Sequence, residues 1–264
     1  MIMEFNQIIY ETSDGIATIT LNQPERRNAL TWEMAKEIAA AISDVNSRPE
    51  IKVLVLTGQG KAFCSGGDVK SMAEGMEKPL FESRKMILEY YRTALAITEV
   101  EIPTITSING HALGAGLTLA LACDLRIASK EAKMGATFLQ IGLHPGMGTT
   151  FFLPRMVGIA RACELIFTAR VITAEEAERI GMVNKAVPGE KLAEETRKLA
   201  EEIAAGPSLA MRMAKKSIYG GLRNDLESVL DYESFAQAAC TQTEDLKEGI
   251  TAFIQKRRPE FKGR

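Results

Sequence analysis

Two glycine-rich segments hold the residues of this sequence that are best suited to chemistry at a carbonyl group. The first glycine loop (residues 61–68) reads KAFCSGGD, and the second glycine loop (residues 109–116) reads NGHALGAG. Small residues let a ligand approach the backbone closely, and free amides at the start of a helix attract negative charge. Two loops that each deliver one N–H to the same oxygen would form an oxyanion hole.

Neither glycine loop carries a nucleotide-binding motif. The G-x-x-x-x-G-K-[ST] pattern and the G-x-G-x-x-G pattern are both missing from them. The GAG step at residues 114–116 is also what close packing of a helix against a strand requires, so that alternative explanation of the second loop stays open.

The elements around the loops predict an α/β fold. Apolar runs predict strands at residues 8–10, 16–21, 53–56, 104–108 and 125–128, with a hairpin turn at Asp14 and Gly15. Helices are predicted over residues 31–46, with Thr31 as N-cap, and over 79–100 and 115–123. After about residue 172 the pattern is helical only. Both glycine loops follow predicted strands, and ligands bind at the carboxyl ends of strands in α/β sheets.

Composition excludes several classes of protein. The 264 residues carry 34 acidic and 32 basic side chains, so no basic surface for nucleic acid is indicated. The longest apolar stretch, residues 112–123, is too short to span a bilayer. No signal peptide is predicted at the N-terminus, and the four dispersed cysteines form no C-x-x-C pair. We therefore expect a cytoplasmic protein with reduced thiols, no membrane or nucleic-acid partner and no metal site.

Segments along the whole chain resemble the enoyl-CoA hydratase (crotonase) family. Besides the two glycine loops, the resemblance rests on CDLRIA at 123–128, GLHPG at 142–146, LPR at 153–155, AEEA at 174–177 and GMV at 181–183. The resemblance implies a crotonase-like α/β spiral of ββα units over residues 1–195, with the acyl-CoA site. It also implies a C-terminal helical region over 196–264 that helps to build a homotrimer or homohexamer. Coenzyme A would be part of the substrate, and no separate cofactor is expected.

The resemblance also assigns roles to individual residues. The two oxyanion donors would be the amides of Ser65 and Ala115. The substrate site would be lined by Ser65, Gly66, Gly67, Asp68, Ala115, Thr118 and Phe138, and coenzyme A would be bound near Arg26, Arg27, Ala62 and Lys256. Four of these residues have a structural alternative: Asp68 as a loop cap, the two arginines as a solvated pair, and Lys256 in an exposed basic tail.

The sequence departs from the family at its acid–base positions. Hydratases of the family use two glutamates, whose positions here hold Thr118 and Phe138. A third position, where some isomerases and dehalogenases of the family carry aspartate, holds Gly146. General acid–base groups each contribute about 10²–10⁴-fold to a rate, and neither threonine nor phenylalanine can act as a base near neutral pH.

Other side chains are candidates for proton transfer. His144, in the turn before Gly146, has a side chain whose ordinary pKa suits acid–base work, although a role in holding that turn is equally open. His111 and Asp124 are predicted to be structural, and Cys64 is predicted to be a small loop residue rather than a nucleophile.

These observations favour an acyl-CoA-processing enzyme of the hydratase/isomerase type that stabilises a thioester enolate. Decarboxylation of a malonyl-type thioester is one alternative, because loss of CO₂ generates the enolate without a base. A hydrolase, a hydratase for an unusual enoyl-CoA and a non-catalytic acyl-CoA-binding protein are the others.

Overall fold

The structure, a computed structural model, describes residues 5–69 and 78–263. Its strands are β1 (Ile8–Ser13), β2 (Ile16–Leu21), β3 (Val53–Gly58), β4 (Ala62–Cys64), β5 (Thr104–Ile108), β6 (His111–Leu113), β7 (Leu125–Ser129), β8 (Lys133–Gly135), β9 (Ile172–Thr173) and β10 (Lys185–Val187). Its helices are α1 (Trp32–Ser47), α2 (Leu80–Ala94), α3 (Ala115–Leu121), α4 (Thr149–Val157), α5 (Ile159–Thr168), α6 (Ala174–Arg179), α7 (Gly189–Ala204), α8 (Ser208–Gly221), α9 (Leu226–Cys240) and α10 (Glu244–Gln255).

From β3 to β8, successive strands alternate between two sheets. The larger sheet has the order β1-β2-β3-β5-β7-β10, and the smaller sheet has the order β4-β6-β8-β9. The strands β3, β5 and β7 of the larger sheet are each followed by a strand of the smaller one, namely β4, β6 and β8. Repeated strand–strand units separated by helices wind the chain into a spiral, which confirms the predicted α/β spiral with a helical C-terminal region.

Local sequence signals determine the β1–β2 hairpin and the start of α1, as predicted. Asp14 and Gly15 both have positive φ (53° and 77°), which the tight β1–β2 hairpin requires. Thr31 caps α1, since its hydroxyl accepts a hydrogen bond of 3.0 Å from the Met34 amide. The helix then buries one apolar face that includes Ile38 and Val45 in the main core.

The second sheet determines where the two glycine loops lie. Its strands β4 and β6 have only three residues each and pair in parallel, with Ala62 opposite His111 and Cys64 opposite Ala112. Parallel neighbours end at the same edge, so the residues after Cys64 and after Leu113 lie side by side. Such short strands have no periodicity of their own, and for that reason the sequence predicted these segments only as loops.

Three other predictions need correction. The chain after residue 172 is not helical only, because β10 joins the larger sheet beside β7. The helix predicted over 79–100 ends at Ala94 and is followed by a separate 3₁₀ turn, Ala96–Glu99. The predicted division between residues 195 and 196 falls inside α7, which is continuous there and packs on the larger sheet through a bond of 3.0 Å between Thr196 and Ser107.

The C-terminal helices α8–α10 follow α7 and leave large apolar side chains exposed, among them Leu226, Phe235 and Phe253. Within residues 5–69 and 78–263, none of the helices combines the length and the hydropathy that crossing a bilayer requires.

Candidate active site

The two glycine loops meet where β4 and β6 end. Gly66 has a φ of +111°, and a β-carbon added there would lie 3.1 Å from the Leu113 carbonyl oxygen and 3.8 Å from the Ala115 nitrogen. A β-carbon on Gly114 would in turn lie 4.0 Å from the Gly66 α-carbon. The two backbones are therefore in close contact, and the positive φ of Gly66 favours glycine at this point.

Gly116, in helix α3, also requires the two glycine loops to lie in close contact. A β-carbon at this position would overlap the carbonyl oxygen of Cys64, so any larger residue must push α3 away from the first glycine loop. The GAG step is thus explained by close packing, as the alternative from the sequence proposed. The packing and a ligand-binding role are compatible, because the packing brings the amide at the start of α3 next to Gly66.

The prediction that the Ser65 amide donates to a ligand is wrong in this structure. That amide already donates to the Arg27 carbonyl oxygen at 3.0 Å. Leu30 pairs with Gly67 in a parallel bridge, and the Leu30 amide donates to the Gly66 oxygen at 2.8 Å. In that register the Gly67 N–H points away from Leu30, toward the side where the second glycine loop lies.

The amides of Gly67 and Ala115 are among those that the loops leave available. No hydrogen bond within the described ranges, 5–69 and 78–263, uses either of them. Ala115 is the first residue of α3, and its N–H is one of those that a helix cannot satisfy internally. The positive end of the helix dipole lies at the same point. An oxygen that carries partial negative charge would be stabilised there.

Asn28 holds the first glycine loop in place and was missed from the sequence. It is fully buried in the left-handed conformation, with a φ of 53°. Its side-chain amide donates to the carbonyl oxygens of Gln59 (2.9 Å) and Ala62 (2.8 Å), and its side-chain oxygen accepts from the Gln23 amide. An asparagine after a pair of arginines gives no local signal of this role, because the two carbonyl groups to which it donates are more than thirty residues away in sequence.

The residues assigned to coenzyme A lie partly beside the first glycine loop. The Arg26 guanidinium donates to the Asp68 carboxylate at 3.0 Å, while Arg27 is exposed. Ala62 is buried in β4. Lys256 ends α10, whose Asp245 accepts bonds from residues 262 and 263 of the terminal tail. Coenzyme A binding by these residues stays a prediction.

Thr118, which the resemblance places at the first family glutamate, is enclosed within the protein. It is fully buried, and its hydroxyl oxygen lies 2.5 Å from that of Thr149. The same two hydroxyls also reach carbonyl oxygens, Thr118 that of Gly114 at 3.2 Å and Thr149 that of Gly146 at 2.8 Å. Each hydroxyl has one proton, so both are used within the protein.

Phe138, at the position of the second glutamate, lies over the second glycine loop. It is buried, and its ring atom Cζ would be 3.9 Å from a β-carbon placed on Gly114. The β8 strand positions it, because β8 pairs with β6 and the Gly135 oxygen accepts a bond of 2.9 Å from the Gly114 amide. A phenyl ring here excludes water from the start of α3 and supplies no acid or base.

The third position, Gly146, is covered by a tyrosine from α2. A β-carbon on Gly146 would overlap the Tyr91 hydroxyl and would lie 2.8 Å from the Tyr91 Cζ atom. Burial raises the pKa of Tyr91, an effect that a backbone hydrogen bond from Met147 partly offsets. No sequence pattern indicates this contact, because Gly146 lies 55 residues beyond Tyr91 in the chain.

The structure exposes both histidines. His144 lies in the turn before Gly146, His111 lies in β6, and the imidazole of neither takes part in a hydrogen bond among the described residues. The placement gives no support to His144 as a group that faces the loops. A proton-transfer role for His144 stays a prediction that the geometry does not favour.

The remaining polar candidates are structural. Cys64 is fully buried, and burial raises the pKa of its thiol to about 12, which leaves no thiolate for nucleophilic attack near neutral pH. Asp124 accepts from the Thr104 amide at 2.7 Å and from the Tyr219 hydroxyl at 2.7 Å, and pairs with Lys215 at 2.8 Å. It therefore ties α8 to the larger sheet.

Comparison with known proteins identifies the class to which the spiral of strand–strand units and the paired glycine loops belong. A family model described as enoyl-CoA hydratase/isomerase matches residues 11–264. The chain is 38% identical over 264 residues to the short-chain-enoyl-CoA hydratase of Clostridium acetobutylicum, and the match covers 99% of this chain and 100% of that one. The chain belongs to the enoyl-CoA hydratase/isomerase family.

Relatives within this family differ in the reaction for which they are named. The chain is 35% identical over 263 residues to the 1,2-epoxyphenylacetyl-CoA isomerase of Escherichia coli, with 99% of this chain and 100% of that one covered. A crystal structure of enoyl-CoA hydratase from Bacillus anthracis matches with a TM-score of 0.91 at 36% identity, covering 98% of this chain and 100% of that one. Similarity of this degree therefore does not select one reaction.

Proposed function

We propose that this chain is an acyl-CoA-processing enzyme of the hydratase/isomerase type, which holds a thioester oxygen between the amides of Gly67 and Ala115. The observation that carries the proposal is the contact between the two glycine loops, which leaves these two amides without an acceptor among the described residues. Donors fixed in advance around a developing oxyanion stabilise it most, and each contributes about 10²–10³-fold to the rate. The charge of a thioester enolate lies mainly on this oxygen.

The same site favours enolate chemistry over hydration. Adding water across a double bond needs a base for the water and an acid for carbon 2 of the acyl group. The two positions that hold glutamates in family hydratases are filled by the enclosed Thr118 hydroxyl and the Phe138 ring. Decarboxylation of a malonyl-type thioester requires no base, because the departing CO₂ leaves its electron pair in the enolate.

The proposal is tested with three coenzyme A thioesters. Purified protein is incubated with crotonyl-CoA, malonyl-CoA and methylmalonyl-CoA, and the products are followed by absorbance of the enoyl thioester and by CO₂ release. We expect CO₂ release and only slow hydration of crotonyl-CoA. Rapid hydration of crotonyl-CoA would show that the acid–base groups are supplied from elsewhere, and our assignment of the reaction would then be wrong.

The residues expected to bind coenzyme A are tested separately from catalysis. Arg26 is tied to Asp68 beside the first glycine loop, so the variant Arg26→Ala removes a cation there without touching the two amides. We expect weaker binding of an acyl-CoA and an unchanged maximal rate. An unchanged dissociation constant, measured by calorimetry, would leave Arg26 with the structural role of holding Asp68.

We also propose that copies of the chain associate into a trimer or hexamer. The support is the set of large apolar side chains that the C-terminal helices expose, with Phe253 85%, Leu226 73% and Phe235 62% exposed. Sedimentation velocity of the purified protein is the test, and a monomer at micromolar concentration would refute the proposal. A cytoplasmic location stays a prediction.

A further inference from the structure

Helix α2 is attached to the first glycine loop by one tyrosine and reaches Gly146 with the next. The Tyr90 hydroxyl donates to the Leu30 carbonyl oxygen at 2.7 Å, and Leu30 is the residue that pairs with Gly67. Tyr91 follows at about 100° around the helix, and its hydroxyl lies against Gly146. Adjacent residues of one helix therefore contact the strand partner of Gly67 and the turn that contains Gly146.

The turn that Tyr91 covers is connected to α3. The Gly146 oxygen accepts from the Thr149 hydroxyl, which lies 2.5 Å from the Thr118 hydroxyl, and Thr118 lies one turn beyond Ala115. Met147, next in the turn, is buried with a φ of 54°, a strained conformation for a side chain of this size. Strained backbone of this kind persists where the surroundings fix it.

Different groups occupy the three positions at which the family resemblance places acid–base residues. The first holds a hydroxyl that is bonded internally, the second holds a phenyl ring, and the third holds a glycine whose missing side chain is replaced in space by the phenol of Tyr91. Of the groups placed at these positions, only Tyr91 has a proton that no hydrogen bond among the described residues uses.

We infer that Tyr91 is the catalytic acid of this site and donates the proton to carbon 2 of the enolate. The inference rests on the proposed function, because it requires an enolate to be formed between the amides of Gly67 and Ala115. Burial keeps the phenol protonated at neutral pH, which suits a donor and not a base.

The step balances for a malonyl-type thioester. The bond between carbon 2 and the carboxylate breaks, CO₂ leaves, and the electron pair forms the enolate, whose oxygen lies between the two amides. Carbon 2 then forms a bond to the proton of the Tyr91 hydroxyl while the thioester carbonyl returns. The resulting tyrosinate takes a proton from water, and the hydroxide left behind combines with CO₂ to give bicarbonate.

The test compares Tyr91→Phe with the wild type, using methylmalonyl-CoA in D₂O. The variant loses one oxygen and keeps the ring, so we expect an unchanged unfolding temperature and unchanged affinity for a saturated acyl-CoA. The maximal rate should fall by about 10²–10⁴-fold. The wild type should place deuterium on one face of carbon 2, whereas the variant, protonated by water, should give both stereoisomers.

Two further variants separate chemistry from structure. Tyr90→Phe removes the neighbouring hydroxyl, which is bonded to Leu30, and should keep the single stereoisomer even if the rate changes. Gly146→Ala places a methyl group where the Tyr91 hydroxyl lies and should reproduce the loss seen in Tyr91→Phe. The double variant Tyr91→Phe/Gly146→Ala should lose no more than either single variant, because both remove the same contact.

The possible results separate this inference from the proposed function. A wild type that releases no CO₂ from either malonyl thioester overturns the proposed reaction and, with it, the role of Tyr91. A wild type that reacts, together with a Tyr91→Phe variant that keeps both the rate and the single stereoisomer, overturns only the inference. Loss of rate with the stereochemistry retained would also contradict it, since that result indicates a structural role.

Discussion

The two sides of the candidate site are built from different parts of the chain. The oxyanion side consists of backbone: the amides of Gly67 and Ala115, held by the close approach of Gly66 and Gly116 to neighbouring main chain. The proton-transfer side consists of side chains. Its three positions are filled by the Thr118–Thr149 pair, the Phe138 ring and the Tyr91 phenol.

This difference explains how a family can keep its binding chemistry while its reactions vary. A backbone amide is present whatever the side chain, so a substitution removes it only by separating the loops. A side chain that donates or accepts protons is lost with a single substitution, and a group from another helix can then occupy the space. We therefore expect substitutions on the oxyanion side to damage folding and catalysis together, and substitutions on the other side to separate them.

The substitution Gly116→Ala should have the largest effect. Its methyl group would overlap the Cys64 carbonyl oxygen, so α3 and the first glycine loop must move apart. We expect a loss of about 1–3 kcal/mol in the free energy of unfolding, from overpacking. Turnover of any accepted thioester should fall by at least about 10²-fold, as for the loss of one oxyanion donor. Denaturant unfolding and steady-state kinetics measure the two effects.

Gly220→Ala is the matched control. Gly220 also lies in a helix, but the nearest atom to its added β-carbon would be the Asn224 side-chain nitrogen at 3.8 Å. Replacing glycine by alanine within a helix should stabilise it by about 0.5–1 kcal/mol. If Gly116→Ala and Gly220→Ala behaved alike, the close contact of the two glycine loops would have no energetic importance.

Asn28→Ala should have the next largest effect. The substitution removes three hydrogen bonds and leaves the carbonyl oxygen of Gln59 without a partner among the described residues. Alanine is also less tolerant of the left-handed conformation at this position. We expect a loss of about 2–4 kcal/mol in the free energy of unfolding. Asn46→Ala, which removes two bonds at the surface, should cost less than half as much.

The sequence predicted the oxyanion side well for a physical reason. Gly116 is required by a close backbone contact, and Gly66 and Gly114 are favoured by their positive φ. Requirements on the backbone of this kind leave a pattern of glycines in the sequence itself. The family and the spiral fold followed from the same pattern. The error was local: of two amides in one loop, Ser65 is bonded to Arg27, a contact that depends on how residues 23–28 fold back over the loop.

The other side could not be predicted from local sequence. The role of Tyr91 depends on its contact with Gly146, and that of Thr118 on a partner, Thr149, that is 31 residues away. Nothing in the spacing of these residues indicates that they meet. That two glutamates are replaced stays a prediction from the family resemblance, and the groups that fill the space around Thr118 and Gly146 could be identified only from the tertiary structure.

Thr118→Val tests the separation of folding from catalysis. Valine has nearly the shape of threonine but lacks the hydroxyl that bonds to Thr149 and to the Gly114 carbonyl oxygen. We expect a loss of about 1 kcal/mol in the free energy of unfolding and an unchanged turnover number. The double variant Thr118→Val/Thr149→Val should lose less stability than the sum of the two single variants. A large fall in turnover would show that the Thr118 hydroxyl takes part in the reaction.

The smallest effect concerns the four thiols. Cys64, beneath the first glycine loop, and Cys123, just beyond α3, are buried, and burial raises the pKa of the first thiol to about 12 and of the second to about 11. Cys163 and Cys240 are partly exposed. At pH 8 we therefore expect two thiols to react rapidly with a disulfide reagent in the native protein, and all four after denaturation.

Raising the pH should lower the stability of the fold and should speed the labelling of the two buried thiols. Because folding raises the pKa of Cys64 and Cys123 above the ordinary value of 9.0, it favours their neutral form. Their contribution to stability is complete below about pH 9 and is lost as the pH rises through 11 to 12. Slow labelling of both should persist until the pH approaches that range. Rapid labelling of Cys64 at pH 8 would mean that the two loops separate readily, and the rigid oxyanion side that distinguishes this site would not exist.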